Sequence, residues 1–382
     1  MKKILFDLSS CQPAGKTKFH GGGVYGYIVF KALAEKYPHD VIAYYDDSRF
    51  LPEDILSLVR EKNITVRLAK DKTIPELYEH SEFERLYTPL WRDEYGSFAR
   101  AGVPITVTEH GLRNLEMNTD VYEPMFAKGF SEYIKALLKQ TFMRRMARKG
   151  HLRKYGVEIN YPGIRIVTVS EHSKASICRY YPSVDPDSIK VLYSPNTSEP
   201  VSDDNDPADG KYYLVVSANR WLKNPYRTIR ALDGLFTSHP HIDGKVILLG
   251  LGEDSRLLSR VRNRDRFITK GYVDRDELER LFKGAYALLY PSLNEGFGYP
   301  PIEAMKYGVP VIASSFSSIS EICGDAPLYV NPYSEDEIAT RVLQLEDRHI
   351  FESRREASLE RYRLIEERQR RDLDTLVDYI MS

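Results

Sequence analysis

The stretch whose reading decides the fold is YPSLNEGFGYPPIEAMKYG, residues 290–308. An apolar run from Ala285 to Tyr290 reads as a buried strand that empties through Pro291-Ser292 into a glycine loop, Gly296-Phe297-Gly298. Pro300-Pro301 then opens a short helix that Gly308 ends, since proline is tolerated at the first helical position, where the N–H it lacks has no partner anyway. A strand, a flexible loop and a helix start in that order aim backbone N–H groups at one spot, with the positive end of the helix dipole behind them. That combination attracts an anion. Two carboxylates flank the spot: Glu295 before the loop and Glu303 on the first helical turn, with seven residues between them. One can face the reacting end of a ligand and the other its far hydroxyls.

Together these residues resemble the donor-binding signature of the retaining GT-B glycosyltransferases of family GT4. The resemblance implies that Glu295 sits by the transferred sugar, that the loop residues Phe297, Gly298 and Tyr299 hold sugar and phosphate, and that Glu303 takes the ribose hydroxyls. It covers nearly the whole chain, from Gly21 to Ala339.

Working outward, 382 residues favour two domains over one core. With 42% hydrophobic and 29% charged residues the composition is globular, and a net charge of -1 gives no general attraction to nucleic acid or to an anionic membrane. The three cysteines, Cys11, Cys178 and Cys323, are far apart and in no metal-binding spacing, which fits a reduced cytoplasm. MKKILFDLSS lacks a signal-peptide core, and no apolar run reaches the roughly 18 residues a membrane span needs.

Upstream of the opening stretch, Tyr212–Ser217 reads as a strand leading to Arg220 and Lys223, with Asn224 placed to cap the next helix and Pro225 to start it. Two cations between a strand end and a helix start suit a diphosphate. The resemblance assigns Arg220 and Lys223 to the donor pyrophosphate, although the family more often spaces the pair by about four residues than by two. Lys245–Gly250 and Phe267–Thr269 are further strands, and Asp274 caps the helix that contains Glu277. By resemblance the backbone around Tyr272-Val273 holds the nucleotide base.

In the N-terminal half, Ile4–Leu8, the glycine-rich stretch His20–Gly26, an apolar helix and Val41–Tyr45 form a strand-helix-strand unit, the mark of parallel α/β architecture. Gly21-x-Gly23-x-x-Gly26 followed by Asp46 formally matches a dinucleotide fingerprint. However, about a dozen residues separate it from the strand, where that motif needs a tight turn. Gly22 and Gly23 instead resemble the family's loop near the donor phosphates and the acceptor. Ile64–Leu68 and Pro104–Thr108 are strands, and the second runs into His110, just beyond a strand's carboxyl end, where α/β proteins bind ligands. A histidine so placed contacts the transferred sugar in the family. Ile164–Val169 is another strand, and Ser170 caps the helix after it.

Residues 128–154 are basic and helical, with Phe130, Tyr133, Leu137, Leu138, Phe142 and Met146 as an apolar stripe. Two readings are open: the stripe packs on its own domain, or the basic amphipathic face meets a phosphate-bearing or membrane-embedded acceptor. Residues 346–381 read as charged helices with Leu359, Tyr362, Ile365, Leu373, Leu376, Val377 and Ile380 buried and with the run Glu366–Asp372 as a solvated face.

The expected fold is therefore α/β of GT-B type, two Rossmann-like parallel-sheet domains facing a central cleft. The expected divisions are residues 1–193 on the acceptor side, a linker at 194–210, a nucleotide-sugar domain at 211–360 and a C-terminal helix at 361–382 crossing back to the first domain. Asp-x-Asp triplets such as Asp185-x-Asp187 and Asp204-x-Asp206 fall in linker or cap settings, no zinc spacing or P-loop occurs, and cations stand ready for the leaving phosphate. No metal and no cofactor are expected. The implied activity moves a sugar, with retention, from a nucleotide-diphosphate sugar to a hydroxyl of a saccharide or lipid-linked acceptor. The implied setting is cell-surface polysaccharide or glycolipid assembly in the cytoplasm or at the inner face of the membrane. The rival readings are a GT-B nucleotide-sugar epimerase or hydrolase, an NAD-binding oxidoreductase using Gly21–Gly26, and a non-catalytic scaffold.

Overall fold

Runs of apolar residues long enough to bury both faces of a strand occur throughout the chain, and such runs form parallel sheets covered by helices. A computed structural model describes residues 3–13, 21–117, 119–141, 143–196, 210–253 and 255–382. It contains two parallel sheets. The first holds β1 (Ile4–Asp7), β2 (Val41–Tyr45), β3 (Thr65–Leu68), β4 (Arg85–Thr88), β5 (Ile105–Glu109), β6 (Arg165–Thr168) and β7 (Ile189–Val191), in the order β3-β2-β1-β4-β5-β6-β7. The second holds β8 (Tyr212–Val215), β9 (Lys245–Leu249), β10 (Phe267–Lys270), β11 (Ala287–Tyr290), β12 (Val311–Ser314) and β13 (Leu328–Val330), in the order β10-β9-β8-β11-β12-β13. Central strands are buried throughout, as in β1, β8, β11 and β12. The edge strand β3 is only half-buried.

Both orders share one property. Each sheet starts in its middle, grows one way for three strands, then returns to add the fourth strand against the first. The reversal falls between β1 and β4 in one sheet and between β8 and β11 in the other. At such a point the loops leaving two neighbouring strands diverge to opposite faces and leave a crevice at the carboxyl ends of the strands. The topology thus selects the loops after β8 and β11 before any side chain is considered.

The chain condenses into two units, one of residues 1–112, 151–197 and 367–382 and the other of 113–150 and 198–366. Most of the expected linker, residues 197–209, lies outside the described residues. The final helix, Arg348–Met381, runs for 34 residues, and its last turns belong to the first unit. There Asp372 accepts from the Tyr193 backbone N–H at 2.8 Å, and Gln369 donates to Ser194 O at 2.5 Å. The run 366–372, read as a solvated face, therefore buries two of its members, because two polar side chains satisfy the backbone that follows β7. Leu359, read as buried, is 36% exposed.

The glycines expected in a loop start a helix, Gly21–Lys36, with Gly22 and Gly23 in its first turn. A Cβ on Gly26 would collide with Cys11 Sγ and Pro89, so this glycine lets the helix approach the chain after β1 and β4. His20 lies outside the described residues.

Residues 113–150, read as part of the first domain, group with the second unit. Arg227 on the helix Pro225–Ser238 grips Asp120 with both terminal nitrogens, at 3.1 and 2.9 Å, and also donates to Asn224 Oδ1 at 3.0 Å. Both charges are buried, with 7% and 6% of their side chains exposed. Removing one partner would strand the other in a poorly solvating site. Asp120→Ala is expected to cost about 3 kcal/mol of stability in denaturant unfolding, and less when combined with Arg227→Met. Losses in Asp120→Ala and Arg227→Met that simply add in the double variant would mean that the pair is not coupled.

Candidate functional site

The loop after β8 climbs through Ser217 and the short turn Trp221–Lys223 to Asn224, whose φ of 59° turns the chain into the helix Pro225–Ser238. Asn224 stands at the expected cap position but caps nothing with its side chain. Its amide donates instead to Pro291 O at 3.1 Å and Pro332 O at 2.6 Å, tying together the exits of β8, β11 and β13. Ser292 Oγ and Leu293 N both donate to Leu222 O, at 3.0 and 2.8 Å. The two loops at the topological reversal are thus fastened to each other.

Their charged side chains meet. Lys223 Nζ lies 2.6 Å from Glu295 Oε1 and 2.5 Å from the Tyr290 hydroxyl, and Ser292 Oγ donates to the same carboxylate oxygen at 2.5 Å. Only 10% of the Lys223 side chain and 4% of that of Glu295 are exposed. Burial alone would raise the carboxyl pKa, but the charges of Lys223 and Arg113 and the hydrogen bonds from Lys223 and Ser292 outweigh it and hold Glu295 at about 2. Burial lowers the Lys223 pKa despite the attraction of Glu295, and Arg113 and Arg220 push it the same way. Arg220 itself is exposed.

Downstream, Gly298 takes a φ of 100°, which only glycine adopts without strain, and the helix Tyr299–Met305 follows. Glu303 is the fifth residue of this helix. The helix begins one residue before the two prolines, so Glu303 falls just past its first turn and the dipole is a weaker influence on it. It is buried and accepts from Arg275 Nη1 at 3.2 Å, which places it beside the start of the helix Arg275–Gly284. The loop itself is packed: Ser318 Oγ donates to Glu295 O and Phe297 O, and the Phe297 and Tyr299 rings lie 5.3 Å apart. Tyr272 and Val273 follow β10, with the Tyr272 side chain 73% exposed. Asp274 caps its helix through Glu277 N at 2.8 Å, as its spacing predicts.

In the first unit, His110 leaves the end of β5 and meets Pro89 O, beyond β4, at 3.0 Å through Nε2, while its ring stands edge-on to Tyr25. Beside it is a cavity of about 170 Å³ lined by Leu90, Trp91, Thr108, Tyr155, Lys154 and Glu158, among others. Glu158 is buried against Glu109. Burial and the neighbouring acid push its carboxyl well above the usual carboxylate range. A Cβ at Gly22 would press on Leu90, which puts the glycine helix next to this cavity.

Sequence reading missed Arg113, Ser292, Tyr290 and the Glu109–Glu158 pair. Ser292 and Tyr290 flank the signature and could have been found by asking what satisfies a carboxylate at a strand end. Arg113 and Glu158 carry no local signal, because their partners are remote in sequence. Among the described residues no cluster of three or more His, Cys, Asp or Glu side chains could hold a metal ion.

The depressed Glu295 pKa gives a pH test. A carboxylate held below its usual 4.5 stabilises the fold fully above that value and loses the contribution as pH falls toward about 2. Glu295→Gln is expected to be less stable than the parent by about 3 kcal/mol at pH 6, since Lys223 loses its counter-charge. The gap should close between pH 4.5 and about 2. A gap independent of pH in denaturant titrations would refute the ion pair.

Comparison with known proteins bears on this geometry. Residues 200–362 match the family model described as glycosyl transferases group 1. O-antigen chain mannosyltransferase RfbU of Salmonella typhimurium strain LT2 is 32% identical over 186 residues, 47% of this chain and 50% of that protein. O-antigen chain mannosyltransferase B of Escherichia coli is 45% identical over 74 residues, 19% of each chain. The chain thus spans about half the length of the first relative and about a fifth of the second. The crystal structure of Anabaena Alr3699/HepE in complex with UDP-glucose superposes with a TM-score of 0.63 at 15% identity, covering 100% of this chain and 98% of that one. Residues 200–362 are thus similar to glycosyl transferases group 1, and the chain has the two-sheet GT-B fold.

Proposed function

We propose that the protein is a retaining glycosyltransferase that moves a sugar, mannose in the first instance, from a nucleotide diphosphate to a hydroxyl of a saccharide or lipid-linked acceptor in cell-surface polysaccharide assembly. The observation that carries this reading is the meeting of Lys223 and Glu295 at the reversal between β8 and β11, with Glu303 buried nearby on the helix that follows the same loop. Cleaving the bond from the anomeric carbon to the phosphate oxygen places negative charge on the departing oxygen and positive charge on the carbon. Fixed cations stabilise the first and a carboxylate the second, and no metal is required for either. In this reading Arg220 and Lys223 take the diphosphate, Glu295 lies by the sugar, Glu303 takes the ribose, and the backbone at Tyr272-Val273 takes the base. Phe297, Gly298 and Tyr299 shape the sugar and phosphate pocket. His110, Gly22 and Gly23 belong to the sugar and acceptor side. The departing phosphate accepts the proton of the attacking hydroxyl. Mannose as the sugar rests on the mannosyltransferases among the relatives.

The acceptor side includes a membrane reading. The helix Phe130–Gln140 buries no residue, and Phe130 and Met146 are 80% and 64% exposed among basic neighbours. An apolar ridge flanked by lysines and arginines suits an anionic bilayer surface. Phe142 of the expected stripe lies outside the described residues. Among the described residues no helix is long and apolar enough to cross a membrane.

Two experiments test the proposal. Calorimetry with UDP, GDP and dTDP is expected to show binding of one nucleotide, weakened about tenfold or more in Glu303→Ala through the loss of hydrogen bonds to a charged group. No binding, or no effect of the substitution, would overturn the donor site. Incubation with GDP-mannose or UDP-glucose and a saccharide acceptor should then consume the sugar nucleotide only when acceptor is present. Consumption without acceptor would point to the hydrolase or epimerase reading.

A further inference from the structure

We infer that Arg113 is a diphosphate-binding residue of the second unit, delivered by a strap, residues 113–117 and 119–126, that no part of the family signature contains. The inference rests on the donor-site reading given above.

The argument starts from charge. Lys223 is matched by Glu295 at 2.6 Å and Arg275 is shared between Glu279 and Glu303, so two of the cations around the crevice are already neutralised. A nucleotide diphosphate brings a negative charge on each phosphate. Arg220 alone leaves that charge under-matched beside the buried Lys223 and Glu295. Arg113 supplies the difference. It is half-buried, and among the described residues it has no ion-pair partner. Its field reaches Glu295, Lys223 and Tyr290 together, lowering the pKa of each side chain relative to the value it would otherwise have. One cation acting on all three groups stands beside the crevice.

The strap's attachment shows that this position is built. The short helix Arg113–Glu116 is fixed where Glu116 accepts from the amide of Asn294, the neighbour of Glu295. Four residues further on, Asp120 takes the two-pronged grip of Arg227, one turn after Lys223 on the same stretch of chain. Tyr122 packs edge-on to Tyr226 and lies under the Arg227 guanidinium, Met117 accepts from the Tyr333 hydroxyl, and Met125 and Phe126 rest against the second core. These anchors lie on the loops and helices that frame the crevice. A strap whose only role was packing would not need its first residue to be an unpaired arginine.

The test compares Arg113→Gln and Arg113→Lys with the parent protein by calorimetry, using UDP and GDP, their monophosphates and the free nucleosides, at low and moderate salt. For whichever diphosphate the parent binds, Arg113→Gln is expected to weaken affinity about tenfold or more, the monophosphate less, and the nucleoside less than about twofold, as for a lost charge-assisted bond to phosphate. Arg113→Lys should restore part of the loss, and the salt dependence should be shallower in Arg113→Gln than in the parent. An unchanged diphosphate affinity would overturn the inference while leaving the donor site standing. Equal losses for nucleoside and diphosphate would also overturn it, because they would report a displaced strap instead of a missing charge. If the parent binds no nucleotide at all, the donor-site reading itself fails, and the inference falls with it.

Discussion

The second unit depends on the ion pair between Lys223 and Glu295. Each residue sits at the exit of a different central strand, β8 and β11, at the one place where two neighbouring loops of a parallel sheet diverge. Two ions with 10% and 4% of their side chains exposed would be costly if separated. The surrounding hydrogen bonds keep them together: Tyr290 and Ser292 complete the polar shell, and Leu222 O receives two donors from the opposite loop. Asn224 then locks the start of the following helix to Pro291 and Pro332. The loops at the strand exits are thus fixed to each other by polar ties.

Much of this was legible in the sequence because it is local. Residues 285–308 announce strand, loop and helix through apolar runs, glycines and prolines, and the two glutamates lie within that frame. The strand-end positions of Arg220, Lys223 and His110 follow from the same reasoning. What was not legible is what depends on distant partners. β4 is a central strand, yet it is four residues long and begins with an arginine, so no periodicity marks it. Gly22 and Gly23 looked like a loop because glycine disfavours helix interiors. They lie in a helix's first turn, where a side chain at Gly22 would press on Leu90, and one turn on Gly26 leaves room for Cys11 and Pro89.

The same distinction explains the misreading of residues 113–150. In sequence they continue the first half of the chain, and nothing in their composition says otherwise. Their grouping with the second unit rests on a few specific polar contacts, Asp120 with Arg227 and Glu116 with Asn294, each made across more than a hundred residues of chain. Contacts of that kind leave no pattern in a single sequence. They are visible only when the partner is in place. Asp372 and Gln369 are the same case in the first unit, a charged helical run that looks solvated until the backbone at Tyr193 and Ser194 is seen to need acceptors and donors.

In the proposed donor site a neutralised lysine looks at first like a poor phosphate ligand, but the energetics favour it. The charge on Lys223 is compensated by Glu295, which limits the cost of keeping it out of water. An anion arriving at the crevice competes with Glu295 for a cation that is already desolvated, so little further desolvation is required of the lysine. Turning Lys223 toward a phosphate would leave Glu295 in need of other support. The field of Arg113 and the Ser292 hydroxyl already act on that carboxylate in the direction of ionisation. In that proposal the site would exchange a lysine between a carboxylate and a phosphate without stranding a buried charge, provided a second cation stands by. The position of Arg113, fixed by the strap, meets that condition.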